Sequence, residues 1–315
     1  MRRPMDKIRI AALYRFARFA EPDALVAPLH EACAREGVKG TLLVAREGIN
    51  GTIAGYAQGL MQALDSIRAA TALDDLEIKF SEVSQMPFLR MKVKVKREIV
   101  TIGEESVDPM RAVGTYVAAK DWNALIADPD VVLIDVRNDY EHRIGTFQGA
   151  IDPETASFRD FPAYVRSKLA DQKDKKIAMF CTGGIRCEKA SAFMLQEGFS
   201  EVYHLQGGIL RYLEDIPAEQ SRWRGGCFVF DERIAVGHAV RPDPRFTLCH
   251  GCRQPLTADD CAHPDHEPGV SCRFCAGILT EAQRAAARER HRQVELARAR
   301  GALHLGPQAR PDPEG

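Results

Sequence analysis

One stretch, Lys176-Ile-Ala-Met-Phe-Cys-Thr-Gly-Gly-Ile-Arg-Cys187, limits what this chain can fold into more than any other. Residues 176–180 have the length and apolarity of a buried strand, the glycine pair requires a tight turn, and Glu188 to Gln196 has the spacing of a helix. A strand that enters a helix through a short loop is an α/β connection. It leaves Cys181 where backbone amides and the positive end of the helix dipole converge.

Such a setting favours the thiolate, lowering a cysteine pKa from about 8.5 into the range of about 3.5–7.5. Arg186 adds a fixed positive charge. The plainer alternative makes Cys181 a small buried apolar residue, but the turn Thr182-Gly183-Gly184-Ile185 is built for more than packing. Cysteine-dependent phosphatases need an arginine six residues after the nucleophile to grip phosphate. Cys187 holds that place here, which argues against phosphatase chemistry.

Two further segments extend the pattern. Val131-Val-Leu-Ile134 reads as a buried strand ending in Asp135-Val-Arg137, followed by Glu141 and Gly145-Thr-Phe-Gln-Gly149, and Val202-Tyr-His-Leu-Gln-Gly-Gly-Ile209 lies after the cysteine loop. In this order the three motifs resemble the rhodanese domain over residues 115–218. The resemblance implies that Cys181 carries a persulfide or another covalent adduct, and that Asp135 and Arg137 brace the active loop. A surface ion pair is the competing reading of those two residues. Gly145-Thr146 departs from the Gly-His common in the family.

With 315 residues there is room for two or three domains. No apolar run approaches the roughly 20 residues of a membrane span, and Asp6, Lys7 and Arg9 interrupt any secretion signal. A cytoplasmic protein is expected. Nine cysteines then point to metal and catalytic thiols rather than a disulfide scaffold. A net charge of −1 gives no global attraction for nucleic acid, so an RNA site has to be a local patch.

Residues 1–103 read as β-α-β-β-α-β, the order of a ferredoxin-like α+β domain. Its last strand alternates basic and apolar residues, placing Arg90, Lys92, Lys94 and Lys96 on one face. That face is either a phosphate-contacting ribbon or the solvated side of a half-buried strand. Gly103 to Met110 has the polar, proline-containing character of a linker.

In the C-terminal segment, 227–300, Cys249-His-Gly-Cys252 and Cys272-Arg-Phe-Cys275 form two C-x-x-C knuckles 19 residues apart. That spacing suits a structural four-cysteine Zn²⁺ site, with Cys261, His250, His263 and His266 as possible substitutes for one ligand. An arginine-rich helix follows, including Arg284, Arg288 and Arg292, able to lie along RNA or simply to face solvent. Residues 301–315 read as a frayed tail.

Taken whole, the ferredoxin-like domain with Arg46-Glu-Gly-Ile-Asn-Gly-Thr52, the loop Cys181 to Lys189 and the cysteine-rich end resemble the bacterial tRNA uridine hydroxylases. The resemblance implies hydroxylation of the wobble uridine to 5-hydroxyuridine, with molecular oxygen as co-substrate, Cys181 as the essential cysteine and the tRNA anticodon loop as partner. Neither DNA nor a membrane is expected as a partner, and no organic cofactor motif is evident. The alternatives are sulfur transfer through a Cys181 persulfide, with Cys187 either resolving the adduct or serving only as a hydrogen-bonding residue of the loop, and an idle rhodanese module that only docks tRNA or protein. Oligomeric state is left open.

Overall fold

The computed structural model describes residues 7–83, 85–231 and 233–300, so the tail expected at 301–315 lies outside it. The chain forms two compact units, the larger holding the chain up to about residue 232 with Val236–Arg241, the smaller holding Pro242 onward.

In the larger unit the first sheet comprises β1 (Ile8–Phe16), β2 (Lys39–Ala45), β3 (Gly48–Tyr56), β4 (Glu77–Val83) and β5 (Met91–Val95), in spatial order β4-β1-β3-β2-β5. Its first four strands are antiparallel neighbours in the ferredoxin-like order. Two helices, α1 (Val26–Arg35) and α2 (Ala57–Thr71), cover one face. The apolar residues of α2 recur at helical spacing, and Leu60, Ala63, Leu64 and Ile67 are buried against Leu13, Leu42 and Ile53 of the sheet. β5 extends the four-stranded core by pairing in parallel with β2, Gly40 opposite Met91 and Val44 opposite Val95.

The second sheet contains β6 (Thr115–Val117), β7 (Val131–Asp135), β9 (Lys176–Phe180) and β10 (Glu201–Leu205) in the order β6-β10-β9-β7. All its pairs are parallel. Helices α3 (Ala119–Leu125), α4 (Asp139–Ile144), α5 (Phe161–Lys168), α6 (Ile185–Gln196) and α7 (Gly208–Asp215) surround it. Between them, β8 (Gly145–Phe147) pairs antiparallel with β11 (Trp223–Gly225). Because both faces are covered, the central strand β9 is apolar after Lys176, and Ile177 to Phe180 are fully buried.

The expected linker and the residues that lead into it are strapped down. Ile99, Ile102 and Val107 are buried, and the Glu98 carboxylate accepts the amides of Ile102 and Gly103 at 3.1 and 3.2 Å. Lys189 of α6, 1% exposed, pairs with Glu47 and Glu98 and donates to the Val100 carbonyl at 2.9 Å. A buried ammonium therefore ties the first sheet, the connecting segment and the active-loop helix together.

In the smaller unit, Thr247–Leu248 and Pro255–Leu256 form an antiparallel pair. Helix α8 (Ala258–Ala262) starts in a capping box between Thr257 and Asp260, and α9 spans Glu281–Ala299. No described helix is long and apolar enough to cross a membrane.

Candidate functional site

Cys181 follows directly on β9. Its support begins behind it, where Phe180 meets Phe147 edge-on at 4.8 Å and packs with Trp122 and Trp223. This aromatic cluster fixes the strand end from which the loop departs. At Gly184 the backbone turns with φ +104°, a left-handed conformation suited to glycine. That turn directs the Gly184 amide at the Cys181 sulfur, 3.1 Å away. On the other side the start of α7 grips the loop, the amides of Ile209 and Leu210 donating to the Cys181 and Thr182 carbonyls at 3.0 and 3.1 Å. Gly208 is required there, since a Cβ would stand 2.5 Å from the Cys181 oxygen.

Burial alone raises the Cys181 pKa. A hydrogen bond from the Cys187 thiol, the Arg186 charge and the amides of Cys187 and Gly184 outweigh it, bringing Cys181 down to about 6 from an ordinary 9.0. Cys187, fully buried beside that sulfur, is pushed up first by burial and then by its neighbour, and remains a neutral thiol donor. In this state it hydrogen-bonds the Cys181 sulfur, and the two cysteines are not joined by a disulfide.

Arg186 is less available than sequence suggests. Both its terminal nitrogens bind Glu141 of α4, at 2.6 and 2.8 Å, and one reaches the Thr182 hydroxyl at 3.3 Å. Glu141 is fully buried and also accepts from Thr182. This bidentate pair is the direct brace of the cysteine loop.

Asp135 and Arg137 are each 0% exposed, which rules out the surface ion pair. Arg137 binds Asp135 at 2.8 and 2.6 Å and the Gly145 carbonyl at 2.5 Å, while the Thr146 hydroxyl donates to Asp135 at 3.0 Å. They secure the Gly145–Thr146 segment, and the Arg137 guanidinium lies 5.9 Å from the Phe180 ring centre. Their contact with the cysteine loop is through Phe180.

Sequence reading missed the groups that the first sheet brings to the loop. The Tyr14 hydroxyl of β1 donates to Glu188 of α6 at 2.7 Å. It stands 3.1 Å from where a Cβ on Gly184 would be. Lys79 of β4 donates to the Gly183 carbonyl at 2.7 Å and lies 5.5 Å from the centre of the Tyr14 ring. Tyr116 of β6 also hydrogen-bonds Glu188. The available signal was Glu188-Lys189 itself, two charges opening a helix whose next turn is Ala190, Ala192, Phe193 and Met194.

The basic residues of β5 divide. Arg90, Lys94 and Lys96 are exposed and Lys92 is half-buried. Lys96 lines a cavity of ≈ 980 Å³ together with Arg46, Arg97 and Arg159. Acids line the same cavity, Glu47 and Glu98, which share Lys189, and Asp23, Glu104, Glu105 and Asp108, so its charge is mixed. Along α9, three arginines are engaged within their own unit: Arg288 with Glu267 at 2.6 and 2.9 Å, Arg292 with Glu289, and Arg284 with the Ala276 carbonyl.

In the smaller unit, the sulfurs of Cys249, Cys252, Cys272 and Cys275 all lie within 4.8 Å of one another. Three of the separations are 3.8, 3.7 and 3.8 Å. Four thiolates about 2.3 Å from one Zn²⁺ would be spaced about 3.8 Å apart at tetrahedral corners. The donor set therefore fits a metal. Of the possible substitutes, Cys261 faces the Thr247 hydroxyl at 3.4 Å and His266 contacts the Cys261 carbonyl.

Comparison with known proteins gives matches along nearly the whole chain. Residues 8–99 match the model of the UPF0176 acylphosphatase-like domain, and residues 118–215 that of the rhodanese-like domain. A protein of Sinorhizobium fredii named tRNA uridine(34) hydroxylase is 56% identical over 297 residues, covering 94% of both chains. One of the same name from Mesorhizobium japonicum is 54% identical, covering 96% of this chain and 98% of its own. Among solved structures, a rhodanese-related protein of Thermoplasma volcanium is 26% identical, covering 33% of this chain and 95% of its own with a TM-score of 0.27.

Proposed function

Because the chain belongs to the family of the tRNA uridine(34) hydroxylases, we propose that it hydroxylates the wobble uridine of tRNA at carbon 5, as an oxygen-dependent oxidoreductase of the cytoplasm. The observation that carries the mechanism is the Cys181 thiolate, held by the Gly184 amide and the Cys187 thiol in a loop braced by Glu141 and Arg186.

Carbon 5 of uracil is a weak nucleophile. A thiolate that adds to carbon 6 converts the ring into an enolate, whose carbon 5 can take up oxygen. Cys181 is that thiolate; molecular oxygen is the co-substrate, one of its atoms joining carbon 5 and the other leaving as water, for which an external two-electron reductant supplies the electrons and solvent two protons. With Arg186 closed onto Glu141, negative charge on the ring is met by loop amides and by Lys79. The base has to leave the anticodon stack to reach the loop, which Tyr14 and Tyr116 adjoin through their hydrogen bonds to Glu188.

Phosphate contacts are assigned to Arg90, Lys92, Lys94 and Lys96, with Lys96 joined by Arg46, Arg97 and Arg159 in one cavity wall. The four clustered cysteines would hold Zn²⁺ as a structural ion, which with four protein ligands would stabilise the smaller unit and supply no chemical step.

The test is nucleoside mass spectrometry of tRNA from cells lacking the protein, complemented with wild type or with Cys181→Ala. The expected result is that uridines carrying the mass of one added oxygen return with wild type alone. Their persistence in the uncomplemented deletion strain, with no second hydroxylation route, would sink the proposal.

A further inference from the structure

Other carboxylates around the loop are paired with a cation: the buried Glu141 with Arg186 and Asp135 with Arg137, and the half-buried Glu98 with Lys189. Glu188 differs. Its hydrogen-bond partners are two phenols, Tyr14 from the first sheet and Tyr116 from the second. It lies in the first turn of α6, its amide on the Gly184 carbonyl. The Tyr14 oxygen, having given its proton to Glu188, keeps its lone pairs beside Gly184, and the Cβ direction of Gly183 opens onto empty space.

From this placement we infer that Tyr14 and Glu188 form the proton relay of the site, taking the carbon-5 proton of the hydroxylated adduct. The inference rests on the hydroxylase reading and on the Cys181 adduct. Once carbon 5 bears oxygen and carbon 6 bears sulfur, product forms by elimination alone. The carbon-5 proton passes to the Tyr14 oxygen as the phenol proton passes to Glu188, the C–H electron pair becomes the carbon 5–carbon 6 double bond, and the C–S pair leaves on Cys181. No oxidant enters this step.

The surroundings suit the role. Burial raises the Glu188 pKa, making it a stronger base than an exposed carboxylate, and its two phenols restrain the shift. Burial keeps Tyr14 a phenol at every physiological pH. The other charged groups facing the pair are Arg15 beside Tyr14, Glu77 and Lys79 on β4, and the Cys181 thiolate. Arg15 is itself paired with Asp75.

The experiment compares wild type, Glu188→Gln and Tyr14→Phe in single turnover on unmodified tRNA, with covalent RNA adducts resolved on denaturing gels and weighed. Alkylation of Cys181 is followed against pH in parallel. Both variants should turn over roughly 100-fold slower, the scale of a lost general base. Both should also hold RNA on Cys181 with one oxygen added, with the alkylation midpoint still near 6. Should Glu188→Gln fail to fold, Tyr14→Phe, which keeps the ring packing, decides alone. Wild-type turnover without a trapped adduct overturns the relay, as does loss of activity together with loss of the thiolate, which would make the pair structural. A wild-type protein that leaves tRNA unmodified removes the hydroxylase reading itself, and the relay with it.

Discussion

Two opposing effects set the state of Cys181, and they can be separated experimentally. Burial favours the thiol, whereas the Cys187 thiol, Arg186 and two amides favour the thiolate and prevail. A depressed pKa means the reactive form is present above about 6 and lost below it. Iodoacetamide labelling at Cys181, read by peptide mass spectrometry, should therefore fall roughly tenfold per pH unit below that midpoint. Cys187→Ala removes the first of the favourable contacts and should move the midpoint upward toward 9.0, so that labelling at neutral pH slows. An unmoved midpoint would mean that the amides hold the charge without it. The sequence gives Cys181 and its amides because they sit within one turn. The same sequence leaves Cys187 open between a resolving thiol and a hydrogen-bonding residue, and its place beside the sulfur suits either role.

Elements meet at the loop through contacts far apart in sequence, and here sequence reading runs short. Strand β9, the turn and α6 are legible because glycine placement and apolar periodicity are local signals. The order of the first sheet is legible for the same reason, but the parallel pairing of β5 with β2 is not, since nothing in Met91–Val95 names its neighbour. Nor is the Glu141–Arg186 brace, whose partners lie 45 residues apart, or the approach of Tyr14 and Lys79 from another sheet. The brace makes a quantitative prediction. Glu141→Gln leaves Arg186 charged and buried without its counter-ion, at a cost of roughly 3–5 kcal/mol in chemical denaturation. Burial opposes ionisation of Glu141, but Arg186 outweighs it and holds the carboxyl below 4.5. Its stabilisation is thus complete above that value and lost only as the pH falls through the lower, folded-state pKa. The variant should accordingly match wild type more closely in acid than at neutral pH. An equal gap at both would assign the loss to packing.

At the scale of the whole molecule, the two compact units are stabilised by different means. The larger buries extended apolar clusters on both of its sheets, among them Leu42, Ile53 and Leu64 in one and Phe161, Ile177 and Phe193 in the other. The core cluster of the smaller consists of Leu256 and three cysteines, with a few half-buried neighbours. A core that small does not offset the entropy of ordering its chain, which is the usual reason for a structural metal. Chelation should therefore act on one unit alone. Prolonged treatment with a strong chelator should release one equivalent of zinc, measured by elemental analysis. Hydrogen exchange should then rise across 249–279 while the peptides of β1–β4, β9 and α6 remain protected. The Cys181 labelling midpoint should stay near 6 throughout, because its determinants, Cys187, Arg186 and Gly184, all lie in the larger unit. Exchange that rose equally in both units would show that the metal stabilises the molecule as one cooperative body. Unchanged exchange around the knuckles would show that the four sulfurs are held by the protein without it.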